Sequence, residues 1–332
     1  MSAAAKLRAP FPYYGSKIVA APLIERLMGP ISNLVIPFAG SLGELLGRST
    51  PAKVETVNDA DGLVVNAWRG LQYSPERMAE LCDHPVHETT MHAAHDLLLA
   101  HAPELPELLR SDPKAHNVDL AAWWVWGRSC WLGGGWCQDT EAASAGKSGG
   151  MRVRVLGRSG TPYHGQGVAK PLRSKRQIPL LRGSDGTGVG YGVGINSGKQ
   201  RTALLENFAA LADRLRFVRI TCGDWTRVAT PAVTTSHGLT GISFDPPYCH
   251  TLRSTRLYRE DNPDLSNEVR SFCVERDRDP LLRITLAGKG EEHDALLERG
   301  WSKHLWRPDG ETIWASPNCE AAAQREMFGG AA

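Results

Sequence analysis

The chain has 332 residues, 42% of them hydrophobic, which is enough for one large α/β domain with an inserted module or for two domains. Its net charge is only +2, it has no run of 18 apolar residues and its N-terminus lacks an apolar core, so neither a membrane span nor a secretory signal is expected. Seven cysteines without a C-x-x-C pair favour reduced thiols in a cytoplasmic protein over disulfides or a zinc site.

The first polar motif is the segment 11–17, Phe-Pro-Tyr-Tyr-Gly-Ser-Lys, which precedes an apolar helical pattern. An aromatic pair, a tight turn and Lys17 at a helix start suit a small anionic group. The alternative is that the aromatic rings pack and that Lys17 is solvated. Taken alone, the segment favours the packing interpretation.

Residues 33–46 read as a strand, a small-residue turn and a helix, the first βα unit of a doubly wound sheet. The turn has only Gly40 and Gly43, so it is neither a dinucleotide G-x-G-x-x-G nor a P-loop. The next strand ends in Asp59, 19 residues after Gly40, where this topology places an acid that binds a ribose. The pair predicts an adenosine-type ligand, although Asp59 is also a good candidate for the N-cap of the following helix.

Residues 74–121 read as helices, and the tryptophan-rich segment 121–131 as a deeply packed helix. Composition then changes: residues 146–201 carry eleven Lys or Arg against one acid, Asp185, and contain fourteen glycines. A segment this basic favours contact with a nucleic-acid backbone over a solvated linker. The basic residues that we expect to contact nucleic acid are Arg152, Arg154, Arg158, Arg173, Lys175 and Arg176.

Two later strands also end in acids. Residues 217–225 end in Gly-Asp-Trp, and residues 241–248 end in Asp-Pro-Pro-Tyr. The prolines forbid further strand or helix, so they hold Asp245, the neighbouring carbonyls and the ring of Tyr248 still. This geometry suits a flat, hydrogen-bonding group such as the amino group of a nucleobase. Downstream, the pattern predicts a helix over 266–274, a strand over 281–288, a helix over 291–300 and a hairpin from 301–306 and 312–315.

In this order the motifs resemble those of Dam-like DNA N6-adenine methyltransferases, class D12, whose cofactor motifs precede an inserted recognition region and the catalytic motif. Two departures stand out. Leu42 occupies a position where many members have a second glycine, and residues 138–200 match no recognition domain. The matching motifs, in chain order, are 11–17, 37–43, Asn58-Asp59, Gly223-Asp224-Trp225 and Asp245-Pro246-Pro247-Tyr248.

The resemblance implies a doubly wound, mostly parallel α/β sheet, the Rossmann-like class I methyltransferase fold, with an inserted target-recognition module. It divides the chain into a cofactor half (1–73), an insertion (74–200) and a catalytic half (201–332). It implies S-adenosylmethionine as cofactor and double-stranded DNA as partner. The spacing of the histidines and cysteines matches no metal site, so no metal is expected, and no obligate protein partner is evident from the sequence. The implied cofactor-binding residues are Tyr13, Lys17, Phe38, Gly40, Asp59, Asp224 and Trp225.

The implied mechanism has Asp245 and the Pro246 carbonyl accept the two hydrogens of an adenine amine, with Tyr248 stacked on the flipped base. Three alternatives stay open: an RNA adenine-N6 methyltransferase, a DNA cytosine-N4 methyltransferase, and a non-catalytic DNA-binding module that retains the fold. Aspartate rather than serine at position 245 favours adenine over cytosine.

Overall fold

A computed structural model describes residues 7–13, 15–130, 136–137, 198–249, 262 and 264–319. Their contacts form two compact units. The sheet unit holds the described residues within Gly15–Ala60, Phe217–Thr255 and Glu260–Ala332, and the helical unit holds those within Met1–Tyr14 and Asp61–Arg216. The predicted segments 1–73, 74–200 and 201–332 stay a prediction. The basic segment, with Arg152, Arg154, Arg158, Arg173, Lys175 and Arg176, lies outside the described residues.

The sheet unit is built on seven strands in the order β3-β2-β1-β4-β5-β7-β6. The first five in this order are parallel, whereas β7 runs antiparallel to both β5 and β6. The order reverses between β1 and β4, and open α/β sheets bind ligands at the carboxyl ends of the strands at such a switch point. The strands are β1 (Asn33–Ile36), β2 (Val54–Asp59), β3 (Arg219–Cys222), β4 (Thr240–Phe244), β5 (Leu282–Lys289), β6 (Ser302–Leu305) and β7 (Glu311–Ala315).

Nine α-helices have both of their ends within the described part of the chain. Three of them, α1, α2 and α9, belong to the sheet unit, and the other six belong to the helical unit. They are α1 (Ala21–Met28), α2 (Gly43–Gly47), α3 (Gly62–Tyr73), α4 (Pro75–Cys82), α5 (Glu88–His101), α6 (Leu105–Ser111), α7 (Val118–Cys130), α8 (Gly198–Leu215) and α9 (Leu265–Arg276). None of them is both long and apolar enough to cross a membrane.

The central strand β4 is buried along its whole length, and its residues alternate between the two faces of the sheet. Gly241 faces α1, where an added Cβ would lie 2.6 Å from the Met28 sulfur, so only glycine lets the helix approach this closely. Ile242 and Phe244 face the opposite layer and join one hydrophobic core with Val269 and Cys273 of α9. The sheet is therefore covered by helices on both faces, as its continuous apolar strands require.

The helical unit is organised around α7, which confirms the prediction of a deeply packed tryptophan helix. Trp126 is fully buried and its indole N–H donates to the His84 carbonyl at 3.0 Å. Arg69 of α3 is also buried, and its guanidinium donates to the carbonyls of Leu109, Asp112 and Ala115. These bonds compensate the burial of a charge and fix the connection between α6 and α7.

The predicted elements downstream of β4 are confirmed with one change of type. The expected helix over 291–300 is a shorter 3₁₀ helix, Asp294–Arg299, which ends at Gly300 in a left-handed conformation with φ of 84°. The predicted hairpin is present as the antiparallel pair β6 and β7. Because β7 lies between β5 and β6, the hairpin adds an antiparallel edge to the parallel sheet.

Candidate active site at the carboxyl edge of the sheet

Acidic side chains from several strands meet at the carboxyl ends of the parallel strands, which we call the carboxyl edge of the sheet. Asp59 ends β2, and Asp245 directly follows β4. Because β7 runs antiparallel, its first residue, Glu311, pairs with Lys289 at the carboxyl end of β5. The sheet topology thus brings side chains that are far apart in the chain to the edge where ligands bind in this architecture.

Lys17 lies at the centre of the site and is only 5% exposed. Its ammonium nitrogen lies 2.8 Å from Asp245 Oδ1 and donates to the Gly15 carbonyl at 2.9 Å and to the Tyr248 hydroxyl at 3.0 Å. It also lies 3.7 Å from Glu311 Oε2. Lys17 is therefore buried and paired, and the alternative expectation that this lysine is solvated is wrong. We call Lys17, Asp245, Tyr248 and Glu311 the acid cluster.

Tyr248 is anchored inside the acid cluster by its hydroxyl group. The hydroxyl donates to Glu311 Oε2 at 2.5 Å while it accepts from Lys17. The residue is 8% exposed, and the Lys17 ammonium lies 5.4 Å from the centre of its ring. Stacking of this ring on a base stays a prediction, and it requires that the ring expose a face when a base enters.

The electrostatics of the acid cluster favour positive charge. Burial raises the pKa of Asp245, Lys17 opposes this rise, and the like charges of Glu311 and Glu292 add to it. Asp245 nonetheless keeps 26% of its side chain exposed, so it is the carboxylate of the cluster that a ligand can reach. The site therefore combines a reachable carboxylate with a surplus of acids over one buried lysine.

Glu44, at the start of α2, is a further buried acid that the sequence did not mark. It is 5% exposed, and burial raises its pKa to about 7 although Ser243 and Arg48 act in the opposite direction. Its Oε1 has no hydrogen-bond partner among the described residues. Asp245 and Lys17 both act on its charge, so Glu44 belongs to the same electrostatic network.

Glu292 fixes the chain that follows the Pro-Pro turn. Its Oε1 accepts the backbone N–H of Cys249 and the hydroxyl of Ser266, both at 2.8 Å. Its Oε2 accepts the backbone N–H of Lys289 at 3.2 Å. One carboxylate thus joins the segment after Tyr248 to β5 and α9. This role of Glu292 is seen in the structure and could not be predicted from its position in the sequence.

At the ends of β1, β2 and β3 the polar side chains hold the backbone. Asp59 Oδ2 accepts the Gly40 N–H at 2.9 Å, and the Asn58 amide donates to the Pro37 and Gly223 carbonyls at 3.1 and 2.8 Å. The spaced glycine and acid predicted to act together are therefore in direct contact. The helix N-cap proposed for Asp59 is wrong, because Asp61 caps α3 by accepting the Leu63 N–H. We call Gly40, Asn58 and Asp59 the glycine-loop end.

Leu42 keeps the backbone conformation that a glycine would adopt. Its φ of 51° and ψ of 26° are left-handed, and its side chain is 1% exposed. Burial of the leucine side chain opposes the steric cost of this conformation. The loop thus keeps a tight left-handed turn before α2 although it lacks the second glycine.

Three predicted cofactor residues have clear structural roles. Trp225 is 7% exposed and its ring packs edge-on against Phe244 and Phe272, while Phe38 packs against the same core. Asp224 is exposed and accepts the Thr226 N–H at 2.9 Å. Core packing accounts for both aromatic residues, and their contact with a cofactor stays a prediction.

Tyr13 belongs to the helical unit, where it has a cationic neighbour. The Arg128 guanidinium lies 5.5 Å from the centre of its ring and donates to the Pro12 carbonyl at 3.1 Å. Burial lowers the pKa of Arg128, against the opposing influence of Tyr13 and Asp61. The ring is held by a cation–π contact, and its predicted contact with a cofactor remains a prediction.

Within the described residues, no three His, Cys, Asp or Glu side chains are grouped so that they could hold a metal ion. No protein-family model matches the chain, and the curated proteins contain no significant match to it.

Proposed function

We propose that the protein transfers a methyl group from S-adenosylmethionine to the N6 amine of adenine in DNA. The observation that carries the proposal is the position of Asp245: a reachable carboxylate, held by Lys17 at 2.8 Å, at the end of a central strand next to the switch point. The finer fold, a class I methyltransferase domain with an inserted target-recognition module, belongs to the same proposal.

The donor set fits this cofactor. Asp245, Glu311 and Glu292 outnumber Lys17, and such a surplus of negative charge suits a cationic sulfonium and an amine that becomes positive. Under the proposal Asp59 binds the ribose of the cofactor, and its bond to the Gly40 N–H supports this role because it holds the acid beside the turn that follows β1. When bound, S-adenosylmethionine supplies a methyl group that is already activated by its sulfonium.

The chain's own residues have to activate the amine, whose lone pair is delocalised into the ring. Asp245 would accept one amine hydrogen and the Pro246 carbonyl the other, which favours a tetrahedral nitrogen with an available lone pair. Glu292 positions this segment through the Cys249 N–H. The carboxylates would then stabilise the positive charge that develops on nitrogen as the carbon–sulfur bond breaks, and Asp245 would accept the proton that the nitrogen loses and pass it to solvent.

DNA as the partner is the part of the proposal that depends on the basic segment, whereas the proposed cytoplasmic location rests on the cysteine pattern. The charge of residues 146–201 supports a polyanionic partner whose affinity falls steeply with salt. Because an adenine inside a duplex is out of reach, the target base has to be flipped out to reach Asp245.

The test is a methylation assay with labelled S-adenosylmethionine on duplex DNA, single-stranded DNA and structured RNA, followed by identification of the methylated base. We expect N6-methyladenine in DNA, and we expect Asp245→Ala to lower the rate at least ~100-fold while affinity for the cofactor persists. Asp309→Ala is a matched control, because Asp309 pairs only with Arg307 among the described residues. Methylcytosine, methylation of RNA alone, or an undiminished rate in Asp245→Ala would contradict the proposal.

A further inference from the structure

Under the proposed function, Lys17 and the substrate amine compete for the same carboxylate of the acid cluster. Asp245 has to stabilise positive charge on the amine, yet the Lys17 ammonium already lies 2.8 Å from its Oδ1. The ammonium competes with the amine for this carboxylate and repels the positive charge that develops on the amine nitrogen during transfer, so Lys17 weakens the interaction that the reaction needs. An acid that draws the ammonium away would remove this conflict.

Glu311 has the geometry for this role. It is 6% exposed as a residue, and its place opposite Lys289 is fixed by strand pairing. Its Oε2 accepts the Tyr248 hydroxyl at 2.5 Å and lies 3.7 Å from the Lys17 nitrogen. A shift of about 1 Å would bring the ammonium to the usual distance of a charge-assisted hydrogen bond with Glu311.

We propose that Glu311 is a positioning residue that takes over the Lys17 ammonium when the amine binds to Asp245. The inference rests on the proposed function and concerns the same site. In the absence of an amine, Lys17 contacts Asp245 and compensates the negative charge of the buried acids, which stabilises the folded protein. When an amine enters, the ammonium moves towards Glu311, keeps its contact with the Tyr248 hydroxyl, and leaves the Asp245 carboxylate to the substrate. No bond is made or broken in this exchange.

The competing explanation is that Glu311 only anchors Tyr248. Glutamine at position 311 separates the two roles, because its carbonyl oxygen can still accept the Tyr248 hydroxyl but carries no charge. Tyr248→Phe makes the opposite change, since it removes the hydroxyl and leaves the charge of Glu311. If anchoring is the only role, Glu311→Gln behaves like the wild type and Tyr248→Phe is the impaired variant.

The kinetic test is a double-mutant cycle of Glu311→Gln and Lys17→Gln, with Asp309→Asn as the control for loss of a surface acid in the same hairpin. We expect Glu311→Gln to lower kcat about tenfold with KM for DNA nearly unchanged, and to have less than a twofold effect once Lys17 is replaced. An unchanged kcat in Glu311→Gln, or the same loss in both backgrounds, would overturn the proposal.

A second measurement does not depend on turnover. The ¹³Cε resonance of Lys17 in selectively labelled protein would be followed while a short single-stranded oligonucleotide with one adenine is added. We expect a shift in the wild type that is lost in Glu311→Gln, and an equal shift in both proteins would overturn the inference. If the wild type methylates no adenine, the proposed function is wrong. The role of Glu311 is tested independently by the shift of the Lys17 resonance.

Discussion

The glycine-loop end and the acid cluster lie along the same edge of the sheet, but they use polar side chains differently. At the glycine-loop end, Asn58 and Asp59 bond to backbone groups of neighbouring loops. In the acid cluster, Lys17, Asp245 and Glu311 interact mainly with one another. The first arrangement fixes the shape of a loop. The second consists of charged side chains whose pairing can change when a ligand binds.

This difference predicts how each region responds to substitution. A bond from a side chain to a backbone carbonyl has a local cost when it is removed, about 1–3 kcal/mol for a buried group. Buried charges that compensate one another are coupled, so removal of one leaves the others unbalanced and the cost depends on pH. Three predictions test this contrast, and they begin with the largest expected effect.

Lys17→Met is expected to cause the largest loss of stability. It leaves Asp245 and Glu311 close together without the buried ammonium, and breaking a buried pair in this way costs about 3–5 kcal/mol. Urea unfolding at pH 7 measures the loss. Lys303→Met is the matched control, because Lys303 forms a half-exposed pair with Asp294 at 2.8 Å, and such pairs contribute about 0–1 kcal/mol. Similar losses in the two variants would remove the distinction between the regions.

Glu44→Gln is expected to stabilise the protein at high pH. Burial raises the pKa of Glu44 from 4.5 to about 7, so between these values the folded state keeps a proton that the unfolded state has lost. Stability therefore falls as pH rises through this window, by as much as ~3 kcal/mol when the window is complete. Glutamine removes this slope, so the variant and the wild type should be equally stable near pH 4 and should differ most at pH 8.

Glu25→Gln provides the control with the opposite sign. Burial acts to raise the pKa of Glu25, but the N–H groups of Ser49 and Thr50, the Ser49 hydroxyl and the charge of Arg48 together lower it, and the net shift is downward. Its contribution to stability is present above pH 4.5 and is lost as pH falls through the lowered pKa. Unfolding measured across the pH range should show opposite trends for the two variants, and parallel trends would contradict the assignment for Glu44.

The sequence could predict the parts of the site that depend on strand ends. Asp59 and Asp245 end parallel strands, and the carboxyl ends of parallel strands meet at one edge, so their proximity to that edge follows from the pattern. Glu311 could not be predicted in this way. It begins a strand instead of ending one, and only the antiparallel direction of β7 places it beside the other acids.

Other features of the site gave no distinguishing signal in the sequence. An aromatic residue after Asp224 is compatible with a cofactor contact and with core packing, and the structure shows the packing of Trp225 against Phe244. The left-handed conformation of Leu42 could not be predicted either, because leucine favours other regions of φ and ψ. Both depend on tertiary contacts that form only when distant segments meet.

Asn58→Ala is the smallest of the three expected effects and tests the glycine-loop end. Loss of its bonds to the Pro37 and Gly223 carbonyls should cost about 1–3 kcal/mol in urea unfolding and, under the proposed function, should weaken binding of S-adenosylmethionine about tenfold in calorimetric titration. The reason is that these carbonyls belong to the loops that follow β1 and β3.

Asn33→Ala separates a local effect from a general one. Asn33 is as deeply buried as Asn58 and donates to the Val233 and Thr234 carbonyls, but it lies at the first residue of β1, at the opposite edge of the sheet. Its loss should cost a similar amount of stability and leave affinity for the cofactor unchanged. If both variants lose affinity equally, loop shape at the carboxyl edge is not what Asn58 contributes, because a general loss of stability would then explain both results.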